Sequence, residues 1–159
     1  MRESMARLTP QFSANRAVVE YTELFYLPAA SEYLQRSNSN GAYGRTLLQQ
    51  ERTFTKCWGS LKFGELHVAS SPQTHSIQVS VHLGDLRPDS ILVQVYADPL
   101  SDQQPFVAEM VQTAESDGWR VYTADVPTSR PASAYTPRIV PSSFGAKIPL
   151  ENPNILWFR

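Results

Sequence analysis

Hydrophobic positions along the chain change period near residue 59. Upstream, the stretch FSANRAVVEYTELFYLP (Phe12 to Pro28) carries Phe12, Val18, Val19, Tyr21, Leu24, Phe25, Tyr26 and Leu27. These cover more than one face of a 3.6-residue period, so the pattern predicts a helix over Asn15 to Leu27 with an unusually wide apolar surface. Glu20 and Glu23 leave a narrow polar stripe. Thr9 with Pro10 offers an N-cap and first-turn pair, Ser13 offers a second start, and Pro28 is expected to end or bend the helix. SNSNGAYG (Ser37 to Gly44) reads as a linker. A second helix follows over Arg45 to Trp58, with Leu47, Glu51, Phe54 and Trp58 in a stripe that Leu48 and Thr55 widen.

After Gly59 the period becomes two. Ile77, Val79, Val81 and Leu83 fall on one face of SIQVSVHLGDL, with Gln78, Ser80 and His82 on the other. ILVQVYADP places Ile91, Val93 and Val95 opposite Leu92, Gln94 and Tyr96. The Gly84 to Ser90 segment between them reads as a hairpin-like loop. Further strands are expected at Leu61 to Ala69, Phe106 to Gln112, Trp119 to Val126, Thr136 to Val140 and Ile155 to Phe158, with Ser116 to Gly118 as a tight turn. The expected fold class is α+β and mainly β: an antiparallel immunoglobulin-like β-sandwich preceded by one or two N-terminal helices. The expected organisation is a helical segment over 1–36, a linker over 37–44, and a helix plus sandwich over 45–159.

Composition narrows the function classes. A chain of 159 residues can bury roughly 70% of its unfolded surface, so no metal or disulfide staple is required. A net charge of −1 gives no pull towards nucleic acid or anionic membranes, and neither is expected as a partner. The lone Cys57 excludes an internal disulfide and fits a reducing compartment, so a cytoplasmic location is expected. No apolar run approaches the roughly 20 residues that span a bilayer, and the N-terminal segment does not read as a secretory signal. The twelve prolines crowd the second half, which favours strands and loops there.

The search for chemistry finds little. His67, His75 and His82 have no metal spacing, and hydrogen-bonded or solvated surface roles account for them. Cys57 beside Trp58 reads as a structural thiol. Phosphate-cradling, nucleophile-elbow and zinc-helix motifs are missing. Asp85 with Asp89, and Glu115 with Asp117, fit turn chemistry. Catalytic, cofactor-binding and metal-ligating residues are therefore expected to be none.

The aromatic residues give a weaker lead, because sugar rings stack on flat side chains. If the strands at 77–83 and 91–97 pair, Gln78, Ser80, His82, Gln94 and Tyr96 share one outer face. With Trp119 after its turn, that face makes a speculative carbohydrate surface; a solvated sheet face is the simpler account. Trp58 and Trp157 are expected in the core or against the helices. In RPASAYTPRIVP (Arg130 to Pro141), Tyr135 is a candidate corner tyrosine, and Arg130 and Arg138 are candidates to hold acidic partners.

The stretch MRESMARLTPQFSANRAVVEYTELFYLPAA (Met1 to Ala30) resembles the end of the catalytic region in bacterial α-glucan (glycogen) phosphorylases of glycosyltransferase family 35. Its FSANRAVVEY is similar to their closing helix. VHLGDLRPDSILVQVYADP, RPASAYTPRIVP and IPLENPNILWFR resemble the C-terminal extension of one bacterial branch. The resemblance implies a parent enzyme that phosphorolyses α-1,4-glucan to glucose 1-phosphate with pyridoxal phosphate on a lysine. The family's cofactor-lysine motif and substrate segments lie upstream of the region matched here, so no such residue carries over; Lys56, Lys62 and Lys147 sit in none of the right contexts. The chain is thus expected to be a C-terminal fragment, inactive alone, with pyridoxal phosphate in the parent. Its expected partners are the rest of the catalytic domain and further copies in a homo-oligomer, with α-glucan a candidate. Bracing, oligomer contacts and glucan binding are the roles implied. The rival reading is a free-standing β-sandwich that binds carbohydrate or protein.

Overall fold

A computed structural model describes every residue except 1, 2, 4, 5, 7, 10, 11, 101–103 and 143–147. The chain divides into two compact units, Met1–Leu48 and Gln49–Arg159. The sequence places the end of its linker at Gly44, slightly upstream of this division.

In the first unit, α1 (Ala14–Tyr21) starts at Ser13, whose side chain accepts from the Arg16 amide at 3.2 Å. Of the two starts legible in the sequence, Ser13 therefore caps the helix; Pro10 lies outside the described residues. Pro28 does not end the helix. The backbone widens into a π turn at Thr22–Tyr26, and the Leu27 amide reaches the Thr22 carbonyl. A proline cannot donate to the carbonyl four residues back and its ring crowds that oxygen, so an extra residue per turn lets the helix pass. Helical residues resume in α2 (Leu27–Cys57), interrupted where Asn38 is extended and Ser39, Asn40 and Gly41 adopt positive φ. The break thus falls inside the Ser/Asn/Gly run, over residues with short side chains or none, which tolerate left-handed backbone. The wide apolar face remains exposed: Val18, Leu24 and Phe25 are 63%, 65% and 57% accessible.

The second unit is a sandwich of two four-stranded antiparallel sheets. Its strands are β1 (Lys62–Ser70), β2 (Thr74–His82), β3 (Ile91–Ala97), β4 (Phe106–Glu109), β5 (Val111–Ser116), β6 (Trp119–Pro127), β7 (Thr136–Pro141) and β8 (Leu156–Trp157). One sheet runs β1-β2-β6-β5 and the other β4-β3-β7-β8. In chain order this is the strand arrangement of an immunoglobulin-type sandwich. The alternation read from sequence holds: Ile77, Val79, Val81, Val93, Val95 and Ile139 are buried between the sheets. Phe54 near the end of α2 is buried in the same core and meets Trp58 edge-on at 5.8 Å.

Three departures from the sequence reading shape the outer surfaces. First, β2 and β3 do not form a hairpin; they lie in opposite sheets. The connection leaves β2 through Gly84 at φ 58°, where a Cβ would lie 2.0 Å from Ser60 Oγ. Glycine is required there by both backbone and space. Second, the strand expected over Phe106 to Gln112 is split at Met110. That residue is buried, and its amide donates to the Val93 carbonyl at 2.8 Å as the chain switches sheets. Third, β8 is only two residues long and pairs Trp157 with Arg138 and Leu156 with Ile139.

Tyr135 is a corner tyrosine. It is buried just before β7, and its hydroxyl donates to the Pro127 carbonyl at the end of β6 at 2.7 Å. Its ring meets Phe106 edge-on at 5.4 Å and His75 at 6.2 Å. His75 is buried rather than superficial. It is bonded to Ser70 Oγ at 2.7 Å and to the Arg130 carbonyl at 3.0 Å, fixing the loop that leads into the corner.

Candidate functional site

The five residues named from sequence as a carbohydrate surface divide between two outer faces, because β2 and β3 belong to different sheets. Gln78, His82 and Trp119 lie on the β1-β2-β6-β5 sheet; Gln94 and Tyr96 lie on the β4-β3-β7-β8 sheet. A shared face for Gln78, Ser80, His82, Gln94 and Tyr96 is therefore ruled out. Alternation alone does not distinguish strands that pair side by side from strands that face each other across a core.

On the first face, most polar side chains are committed to the sheet itself. Ser80 Oγ accepts from the Glu65 amide at 2.8 Å, bridging the irregularity between Phe63 and Leu66. His82 and Trp119 are cross-strand partners whose rings meet edge-on at 5.4 Å, and His82 Nδ1 accepts from the Gly84 amide at 3.2 Å. Trp119 also rides over Gly64, where a Cβ would sit 2.8 Å from the indole. It is half-buried by this packing. A shallow cleft of ≈ 230 Å³ remains beside Glu65, His67, Gln78 and Ser80.

The second face carries a more organised constellation. Pairing aligns Gln94 with Arg138 and Tyr96 with Thr136 across β3 and β7, and Arg138 with Trp157 across β7 and β8. The Arg138 guanidinium lies over the Tyr96 ring at 4.7 Å and the Trp157 ring at 5.4 Å. The two rings meet at 78° with centroids 5.3 Å apart. Gln94 Oε1 accepts from Arg138 Nε at 3.1 Å and from an Arg138 terminal nitrogen at 2.9 Å. Burial lowers the pKa of Arg138, and the neighbouring Tyr96 acts in the opposite sense. Arg138 holds this amide and two rings rather than the acidic partner expected from sequence. Trp157, expected in the core or against the helices, lies instead on this outer face. The signal was legible: in ILWF, Leu156 and Phe158 alternate with it, and those two pack against the core.

A groove of ≈ 380 Å³ opens beside this cluster, lined by Tyr96, Asp98, Ala134, Thr136, Arg138 and Trp157. A second cleft of ≈ 380 Å³ shares Asp98, Ala134 and Thr136 with it and adds Ser129, Arg130 and Ser133. The Arg130 guanidinium donates to the Asp98 backbone carbonyl, which leaves the Asp98 carboxylate unspent by that bond. A separate cleft of ≈ 440 Å³ lies between the end of α2 and the loop at Asp85 to Ser90. There Arg87 and Asp89 neutralise each other in a two-pronged pair at 3.0 and 2.5 Å.

Among the described residues there is no group of three His, Cys, Asp or Glu side chains placed to hold a metal. Cys57 is a half-buried free thiol packed on the core. Lys56 and Lys62 project from exposed positions on α2 and β1, so neither fits an enclosed cofactor aldehyde; Lys147 lies outside the described residues. No helix among the described residues is long and apolar enough to cross a membrane.

Comparison with known proteins gives a consistent picture. Residues 58–158 match the family model described as the glycogen phosphorylase C-terminal domain. The chain is 26% identical over 156 residues to glycogen phosphorylase of Mycobacterium tuberculosis (strain H37Rv) and to that of Mycobacterium bovis, covering 89% of this chain. It is 24% identical over 114 residues to maltodextrin phosphorylase of Thermococcus litoralis, covering 69% of this chain. The chain spans 18% of the length of these glycogen phosphorylases and 13% of the maltodextrin phosphorylase. No solved structure matches it.

Proposed function

The chain belongs to the glycogen phosphorylase C-terminal domain family, and from that premise we propose that it is the non-catalytic C-terminal region of an α-glucan phosphorylase. In this reading the parent enzyme phosphorolyses α-1,4-glucan to glucose 1-phosphate in the cytoplasm, with its pyridoxal phosphate on a lysine outside this chain. The helical unit braces the catalytic body, and the sandwich is the module that follows it.

The observation that carries the bracing role is the apolar face of the first unit. Val18, Tyr21, Leu24, Phe25 and Tyr26 are each more than half exposed. Covering such a side chain is worth about 1.5–3 kcal/mol, so several together hold a large part of a stable docking energy. A contiguous apolar surface of this kind marks an interaction site. The partner this reading names is the catalytic body, whose closing helix the segment Phe12 to Pro28 resembles.

The test mixes the purified chain with a phosphorylase catalytic region cut before the segment equivalent to Phe12. Association by size-exclusion chromatography, lost in a Val18→Asp/Phe25→Asp variant, is the expected result. The chain alone, given pyridoxal phosphate, maltodextrin and phosphate, is expected to form no glucose 1-phosphate. Turnover by the chain alone, or self-association in place of docking, would overturn the bracing assignment.

A further inference from the structure

We propose that the outer face of the β4-β3-β7-β8 sheet binds a neutral α-glucan chain, in the groove that runs from Trp157 past Thr136 towards Ser129. The ligand class rests on the phosphorylase reading; the location rests on the groove itself. Three observations carry it. The first is the fixed aromatic corner. Tyr96 and Trp157 meet nearly at right angles, with Arg138 held over both rings and tied to Gln94 by two hydrogen bonds. Held by these contacts, Tyr96 and Trp157 line the groove at little further cost in side-chain entropy, and the parts of the two rings that Arg138 leaves uncovered suit the C–H faces of a pyranose.

The second observation is the balance of charge. Arg138 forms no ion pair with a described residue, and Gln94 takes only two of the five guanidinium N–H donors. Asp98 lines the same groove. An anion entering would meet Asp98, and a cation would meet Arg138. A polyol, whose hydroxyls both donate and accept, is served by the pair. Thr136, Ser129 and Ser133 extend the same chemistry into the adjoining cleft. The third observation is shape. Two clefts of ≈ 380 Å³ share Asp98, Ala134 and Thr136, so they adjoin as one trough. Each is within the usual range for small-molecule sites. The opposite face is less suited: its cleft is smaller, and Ser80 and His82 accept hydrogen bonds from the Glu65 and Gly84 amides.

Affinity electrophoresis of the 159-residue chain in gels containing glycogen, amylose or α-1,6-linked dextran tests the proposal. Retardation by glycogen and amylose, but not by dextran, is expected. Tyr96→Ala and Trp157→Ala are each expected to weaken retention by about tenfold. Ala134→Trp fills the shared part of the trough without removing a contact, so it keeps the test valid if either truncation unfolds the sandwich; it is expected to abolish retention. His82→Ala and Gln78→Ala, on the other sheet, are expected to leave it unchanged. No retention of the unmutated chain, equal retention by dextran, full retention by Ala134→Trp, or loss in His82→Ala would each overturn the proposal. Absent retention with helix docking intact removes the groove and leaves the phosphorylase reading standing. Retention without docking removes the bracing role and leaves a sugar-binding sandwich.

Discussion

The helical and sandwich units handle apolar side chains in opposite ways. In the sandwich, Ile77, Val79 and Val81 are at most 1% exposed, because alternation along each strand meets a second sheet that covers the inward face. In the helical unit, Val18 and Phe25 are 63% and 57% exposed. A single amphipathic helix has one face to bury, and an apolar surface wider than that needs a larger neighbour. The sandwich thus satisfies its own hydrophobic pattern, whereas the pattern of the helical unit is an unfilled demand. The first property makes a self-contained module; the second leaves an apolar surface open on the helical unit.

The contrast can be broken most directly by truncation in the two places. Ile139→Ala is expected to lower the stability of the sandwich by about 2–5 kcal/mol in urea denaturation, because the side chain is fully enclosed and leaves a cavity. Phe25→Ala is expected to change the same transition by no more than about 0.5 kcal/mol, as for most exposed positions. Equal losses in the two variants would show that the helical face is covered in the isolated chain. Next in size is Tyr135→Phe. It removes the donor to the Pro127 carbonyl, which stays accessible to water, and is expected to cost about 0.5–1.5 kcal/mol in the same measurement. A neutral result would mean the corner is held by ring packing on Phe106 and His75 alone.

The smallest effect is a pH dependence confined to the sandwich. Burial raises the pKa of Tyr122 above 10.0, outweighing the opposing effect of Arg120. The folded state therefore holds this proton more tightly than the unfolded chain does. The contribution of this group is fully present below pH 10.0 and is lost as the pH rises through the raised folded value. Urea midpoints measured from neutral to strongly alkaline pH are expected to show this fall, and Tyr122→Phe is expected to reduce it. An unchanged profile in that variant would assign the alkaline loss to other groups.

Much of the fold is legible in the residues. The change of period near Gly59 and the inward sets at Ile77 to Leu83 and Ile91 to Val95 follow from local pattern, because side-chain direction in a strand is fixed by position, and the corner role of Tyr135 is legible from its place in a proline-rich turn segment. The candidate site was only half legible. Tyr96 and Gln94 were named, but they were grouped with Gln78 and His82 instead of Arg138 and Trp157. Pro28 was expected to end or bend its helix; it does not end it, and sequence alone does not reveal the π turn upstream. The split at Met110 was hidden because Phe106 to Gln112 reads as one continuous strand.

By itself, the sequence determined which residues face inward, where helices give way to strands, and that the first helix carries more apolar surface than it can bury. Those properties depend on backbone period and side-chain chemistry alone. Only the tertiary structure decided that β2 and β3 face each other across the core. A period of two is the same for neighbours in one sheet and for partners in opposite sheets. That choice brings β8 beside β7, and so places Trp157 and Tyr96 around Arg138 on one outer face.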